Sequence, residues 1–249
     1  MKKMTMHKLL LTLLFTFSSL IAGKINIAVA ANVSYAIDEL KAEFSKLHPD
    51  TKVQVILGSS GKLTAQIKNG APYGLFMSAN MNYPEALYND KIAITKPVVY
   101  AQGALALFSV KKQDFSEGVK LLTTEKIKKI AIANPKTAPY GIAAKEMLEN
   151  SGIYEKIKKK FVYGESISQT VSCAVTAADI GIIAKSSLYS SKMSQYKENL
   201  NWVSIDTTLY EPIKQGVVIL TDNPEYRAFY DFILSEKAKE ILKKYGYIL

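Results

Sequence analysis

The chain is poor in the residues that most often carry chemistry. Its 249 residues include one cysteine, one tryptophan, two histidines and one arginine. A single cysteine, Cys173, permits no internal disulfide, so the fold must rest on its core. Cys173 falls in the apolar pattern of a helix and reads as a small buried hydrophobe. Of the histidines, His7 lies in the N-terminal leader, and His48 ends a helix beside Pro49, where it reads as a solvated cap. One histidine and a remote cysteine make neither a nucleophilic triad nor a Cys/His zinc set. The Gly58-Ser59-Ser60-Gly61-Lys62 turn lacks both the glycine spacing of a phosphate loop and the Ser/Thr after its lysine. No pair of acids stands apart from the solvated helix faces. Catalysis, a resident cofactor and direct protein–metal ligands are therefore not expected.

The scarcities also narrow what could be bound. Carboxylate ligands are commonly gripped by bidentate arginine, and the lone Arg227 sits in the pattern of a surface helix. The 15 tyrosines include no adjacent pair of the kind used for ferric ion. Net charge is +10, or +7 with Lys2, Lys3 and Lys8 set aside. The remaining lysines are scattered, without the aromatic interleaving of a nucleic-acid platform, so no nucleic-acid partner is expected. Hydrophobic content of 48% is enough for a full core.

Residues 1–22 read as a secretory signal. Lys2, Lys3 and Lys8 form a positive start, Leu9 to Phe17 an apolar stretch too short to span a bilayer, and Ser18 to Ala22 a small-residue end. Cleavage near Ala22 would leave an exported protein, and no later segment has the length and apolarity of a membrane helix.

The rest alternates strand and helix. Lys24–Ala30 is a strand, followed by Asn32 at an expected N-cap and a helix carrying Val33, Ile37, Leu40, Phe44 and Leu47. Val53–Leu57 is a second strand, leading through Ser59-Ser60 into a second helix. Strand, hydroxyl-rich turn and helix start together outline an anion site. Right-handed parallel connection places both turns at one sheet edge, where open α/β sheets bind ligands. Leu75–Ala79 is a third short strand. The run Val98 to Phe108 is long enough to pass from one sheet into another, and Ile213–Leu220 is its expected return. Between them the pattern restarts, with strands at Ile130–Ala133, Phe161–Tyr163 and Ile180–Ile183, and helix starts near Tyr140 and at Ile167 behind a Ser166 cap. Two helices close the chain. Two α/β lobes follow: 23–102 with 215–249, and an inserted 103–214, joined by two crossings around a hinged cleft.

What this pattern offers a ligand is neutral donors: Asn32, Ser34, Ser59, Ser60 and the N–H groups of four helix starts. Such a set suits a fully deprotonated tetrahedral oxyanion, which only accepts hydrogen bonds. Sulfate, molybdate and tungstate qualify, whereas phosphate keeps a proton and calls for a carboxylate acceptor.

Several segments together resemble the periplasmic molybdate-binding proteins, the ModA-type solute receptors of ABC importers. They are Ala30-Ala31-Asn32, Gly58-Ser59-Ser60 with Leu63 and Gln66-Ile67, and Gly70-Ala71-Pro72 through Phe76-Met77-Ser78-Ala79. Asn134-Pro135 with Pro139-Tyr140-Gly141, Ala144-Lys145-Glu146 and the closing Lys244-Tyr245-Gly246-Tyr247 complete the set, and the likeness covers almost all of 24–249. The resemblance implies an α/β two-lobe periplasmic-binding-protein fold of type II. It also implies a molybdate or tungstate ligand, an ABC-transporter membrane permease as partner, a periplasmic location and a monomer. Carried over position by position, it implies a shell of Asn32 and Ser60, through side chain and backbone, and Tyr140 and Ile167, mainly through backbone N–H, with Ser34, Ser59 and Ala31 beside them. The chain departs from the family pattern at Asn32, where many members have serine, and at Ala184, where many have a ligand tyrosine that the Tyr140 hydroxyl would replace. It departs again at Gly74, where an acid is common. A sulfate-type or tungstate-selective receptor, an exported hydrolase using Ser60 and a surface adhesion protein are the competing expectations.

Overall fold

Strand-forming runs and amphipathic helices alternate along residues 23–249, which the computed structural model describes; the expected signal over 1–22 lies outside them. The strands are β1 (Gly23–Ala30), β2 (Thr51–Gly58), β3 (Leu75–Met77), β4 (Val98–Gly103), β5 (Leu105–Phe108), β6 (Ile130–Ala133), β7 (Phe161–Gly164), β8 (Ile180–Ala184), β9 (Trp202–Ser204) and β10 (Ile213–Ile219). The helices are α1 (Ile37–Leu47), α2 (Ser60–Lys68), α3 (Asn82–Asn89), α4 (Pro139–Asn150), α5 (Tyr154–Ile157), α6 (Ile167–Thr176), α7 (Pro224–Leu234) and α8 (Glu236–Lys244). Among the described residues no helix is long and apolar enough to cross a membrane.

The strands form two five-stranded sheets, ordered β2-β1-β3-β10-β4 and β7-β6-β8-β5-β9. Each has a parallel part, β2-β1-β3 and β7-β6-β8, completed by antiparallel strands. Parallel strands covered by helices must be apolar on both faces; Ile27, Ala28, Val29 and Ala30 in β1 and all four residues of β6 are accordingly buried. One core lies against the first sheet, where Phe44 of α1 meets Phe229 of α7 edge-on at 5.0 Å. Burying such a ring is worth about 1.5–3 kcal/mol. A second core surrounds Ile130, Ile132 and Met147 on the other sheet, and it takes in Ala30, Ala31 and Ala79 from the first. The two halves therefore share apolar contact at the ends of the parallel strands.

The long run from Val98 does pass between sheets, with only Ala104 separating β4 from β5. The return differs from expectation. β10 lies wholly in the first sheet, antiparallel to both β3 and β4, so the second crossing is made by irregular chain before Ile213. A bulge at Gln215/Gly216 breaks the β10–β4 register; the same Gln-Gly pair occurs on the first long run as Gln102-Gly103.

The Asn32 cap is also corrected. Ala31–Tyr35 forms a 3-10 turn ahead of α1, and the cap positions are Ala30 and Ala36. Asn32 is inside the turn with its side chain directed to distant partners, which leaves it unable to cap α1. Ser166 does cap α6, accepting from the Gln169 N–H.

Candidate functional site

The register of the parallel strands brings the expected residues together. Ala30 of β1 pairs with Gly58 of β2, so the turns holding Asn32 and Ser60 leave adjacent strand ends. Ala133 of β6 pairs with Gly164 of β7, which places the starts of α4 and α6 at the matching edge of the second sheet. The two edges face each other across a pocket enclosing about 10 Å³, lined by Asn32, Ser60, Tyr140 and Ile167, with Ala31 and Ser59 beside them. Ser34 is not brought in; it lines separate grooves with Tyr35 and Lys41. Ala184 ends β8, fully buried.

No charged side chain lines the pocket. Its polarity comes from backbone and neutral groups. The first N–H groups of a helix lack intrahelical acceptors, and among the described residues Ser60, Tyr140 and Ile167 donate to no other backbone or side-chain acceptor. Ser60 and Ile167 open α2 and α6, and Tyr140 follows Pro139 at the start of α4; each helix start, with a partial positive charge of roughly half a unit, lines the pocket. The Ser60 Oγ accepts from the Ala79 N–H at 2.9 Å. That bond orients the hydroxyl and leaves its own proton for a ligand. The Ser59 side chain makes no cap bond to α2, and Ser60 is the first helical residue. The Ser60 hydroxyl is thus anchored to the loop after β3.

The halves also touch directly. The Gly61 N–H donates to the Thr137 carbonyl at 2.9 Å. A Cβ on Gly61 would lie 3.0 Å from that oxygen and 2.7 Å from the Tyr83 hydroxyl, closer than side chains pack.

Behind the pocket lies a polar cluster that sequence reading missed. The Asn32 Nδ2 donates to Gln215 Oε1 at 2.9 Å and to the Tyr247 hydroxyl at 3.0 Å. Tyr247 donates back to the Asn32 carbonyl at 2.9 Å. The Tyr100 hydroxyl donates to Gln215 Oε1 at 2.8 Å, and Gln215 Nε2 donates to the Tyr140 hydroxyl at 3.2 Å. Gln215 is fully buried. The three phenols stay neutral: burial pushes Tyr247 up to about 12, and burial with neighbouring tyrosines pushes Tyr100 and Tyr140 well above 10.0. The Tyr140 hydroxyl thus reaches the end of β4, where a Cβ on Gly103 would collide with it. A repeated Gln-Gly pair on the two long runs was the one available signal for this cluster.

Residues set aside on sequence grounds lie elsewhere. Arg227 pairs with exposed Asp222 at 2.8 Å, and His48 stacks on Phe44. Cys173 is half-buried against Val171 and Ala174. Among the described residues no cluster of His, Cys, Asp and Glu could hold a metal ion.

Two α/β halves joined through crossing chain, with neutral donors gathered where the parallel strand ends meet, define a two-lobe solute-binding protein. The chain belongs to the bacterial extracellular solute-binding protein family, which it matches over residues 25–248, and within it to the ModA-type members. It is 37% identical to the molybdate-binding protein ModA of Azotobacter vinelandii over 233 residues, 91% of this chain and 90% of that one. It is 35% identical to the Rhodobacter capsulatus ModA, over 91% and 89%. The solved periplasmic molybdate-binding protein of Azotobacter vinelandii superposes with a TM-score of 0.82 at 32% identity, covering 90% of this chain and 99% of that one.

Proposed function

We propose that this protein binds molybdate or tungstate in the periplasm and delivers the oxyanion, as a monomer, to the membrane permease of an ABC importer. The observation that carries the reading is the pocket itself. Asn32, Ser60, Tyr140 and Ile167 converge on a small space with no charged side chain in its lining. The relatives named for molybdate supply the ligand class. In this reading Ser60 donates through hydroxyl and N–H, Asn32 through its side chain, and Tyr140 and Ile167 through N–H. Helix dipoles in a closed, dry site offset the dianion where no counter-charge is present. A protonated anion is disfavoured because no carboxylate is there to accept its proton. The lobes are 23–102 with 215–249, and 103–214, and closing them buries the ligand. No cofactor takes part.

A sulfate receptor would use the same donors, so the distinction rests on size. A thermal-shift panel of molybdate, tungstate, sulfate, phosphate and mixed amino acids tests both points. A ligand at 100 times its Kd adds about 2.7 kcal/mol of stability. Molybdate and tungstate are expected to raise the melting temperature, and phosphate and amino acids to leave it unchanged. A sulfate shift equal to that of molybdate would contradict selection by size.

A further inference from the structure

One atom in the cluster behind the pocket does not fit a site made only of donors. Asn32 is fully buried, and its Nδ2 is taken by Gln215 and Tyr247, yet its Oδ1 has no hydrogen-bond partner. A buried amide oxygen left unpaired costs about 1–3 kcal/mol. Asn32 also lines the pocket, and the end of the amide left for a ligand is the oxygen. An acceptor cannot hold an anion that only accepts.

The surrounding groups allow the amide to reverse. With Nδ2 toward the ligand, Oδ1 takes the place opposite Gln215 and needs a donor there. Gln215 supplies one by reversing as well: one Nε2 proton then goes to Asn32 Oδ1 and the other to the Tyr100 oxygen. Gln215 Oε1 moves opposite the Tyr140 hydroxyl. In the present arrangement that hydroxyl accepts from Gln215, and its own proton is free to donate. Tyr247 shares its proton between the Asn32 carbonyl and Oδ1. The Asn32 oxygen is then paired, and the proton left without its acceptor is that of the Tyr100 hydroxyl; neutral phenols, which both donate and accept, are the groups that permit the exchange. A carboxylate or lysine at any of these places would fix one direction.

We propose that Gln215 is a positioning residue for the anion, its carboxamide reversing together with that of Asn32 so that the Asn32 Nδ2 faces a fully deprotonated oxyanion. The inference rests on the oxyanion reading of the pocket and adds a part to it. Gln215 sits at the β10 bulge, two residues into the first sheet from the chain that crosses between the halves. The arrangement with Oδ1 forward is the one that would accept a proton from a protonated anion. Selection against such ligands then lies in the balance between the two arrangements, which Gln215 and its three tyrosines set.

The test uses the full-length mature protein, Asn/Gln side-chain ¹⁵N labelling and sodium molybdate as the probe. Adding molybdate to the wild type is expected to shift the side-chain NH₂ signals of both Asn32 and Gln215. Calorimetry on Gln215→Met, which keeps the volume but neither donor nor acceptor, is expected to show a molybdate Kd raised about tenfold. A Gln215 signal that stays in place while that of Asn32 moves would overturn the proposal. So would a variant that melts lower yet binds molybdate within twofold of wild type, as a merely structural residue would. Should Gln215→Met fail to fold, the wild-type spectra alone decide. A wild type that shows neither shift nor heat with molybdate would sink the oxyanion reading itself, an outcome distinct from failure of the reversal.

Discussion

Ser60 and Tyr140 sit in the same pocket but contribute differently. The Ser60 hydroxyl is fixed by the Ala79 N–H before a ligand arrives, so little side-chain freedom is lost on binding. A hydrogen bond to a charged group is worth about 1.5–3 kcal/mol. Ser60→Ala is therefore expected to raise the molybdate Kd about ten- to a hundredfold by calorimetry. The same change leaves the buried Ala79 N–H unpaired, so the melting temperature should also fall. Tyr140 offers the pocket its N–H, while its hydroxyl is held by Gln215. Tyr140→Phe keeps the N–H and loses one bond between neutral groups. The expected rise in Kd is less than about tenfold, and a loss beyond a hundredfold would put the hydroxyl on the anion. A serine in a strand-to-helix turn is most often only an N-cap; Ser60 was legible in the sequence because other helix starts of the same kind recur at Tyr140 and Ile167. Gln215 was not, because a polar residue inside a buried strand leaves no periodic signal; its partners lie 75 to 183 residues away.

At the scale of elements, the parallel β-α units were readable because strands buried on both faces and helices with one apolar stripe obey different periods. Both strand ends that carry the site followed from that pattern. The elements that escaped were short or set by tertiary contacts. β9 has only three residues, and the 3-10 turn at Ala31–Tyr35 puts Asn32 where a long helix was expected to start. Asn32 looked like a cap because asparagine caps well in isolation; distant Gln215 and Tyr247 outweigh that local preference. The contact between the start of α2 and the loop before α4 gives this scale its prediction. Gly61 meets Thr137 through backbone alone, and a Cβ there would press on the Thr137 carbonyl and the Tyr83 hydroxyl. Gly61→Ala is expected to weaken molybdate binding about tenfold or more by hindering the approach of the halves, at an overpacking cost of about 1–3 kcal/mol. Equal affinity in the variant would show that the halves need not meet there.

For the whole molecule, the buried phenols set a limit at alkaline pH. Tyr247 is raised from 10.0 to about 12, and Tyr100 and Tyr140 are raised in the same direction, burial being the largest cause in each. The folded state keeps these protons where the unfolded chain releases them, so stability falls as pH rises. Their contribution is whole below about pH 10 and is lost as pH climbs toward the folded values. Melting temperature should accordingly be flat through neutral pH and drop steeply above about pH 10. Replacing Tyr247 by Phe should make that drop shallower, and an unchanged alkaline limb would count against the cluster as its source. Tyr140 is the titratable side chain in the pocket lining, and burial keeps it neutral well above neutral pH, so affinity should follow the charge state of the anion alone across neutral pH. The measurement that bears most directly on the central claim is a calorimetric titration of the mature protein with molybdate, repeated with phosphate at the same neutral pH. One molybdate bound per chain, with no detectable phosphate binding, is the expected result. Phosphate bound as tightly as molybdate, or no heat with molybdate at all, would contradict a pocket of neutral donors built for a fully deprotonated oxyanion.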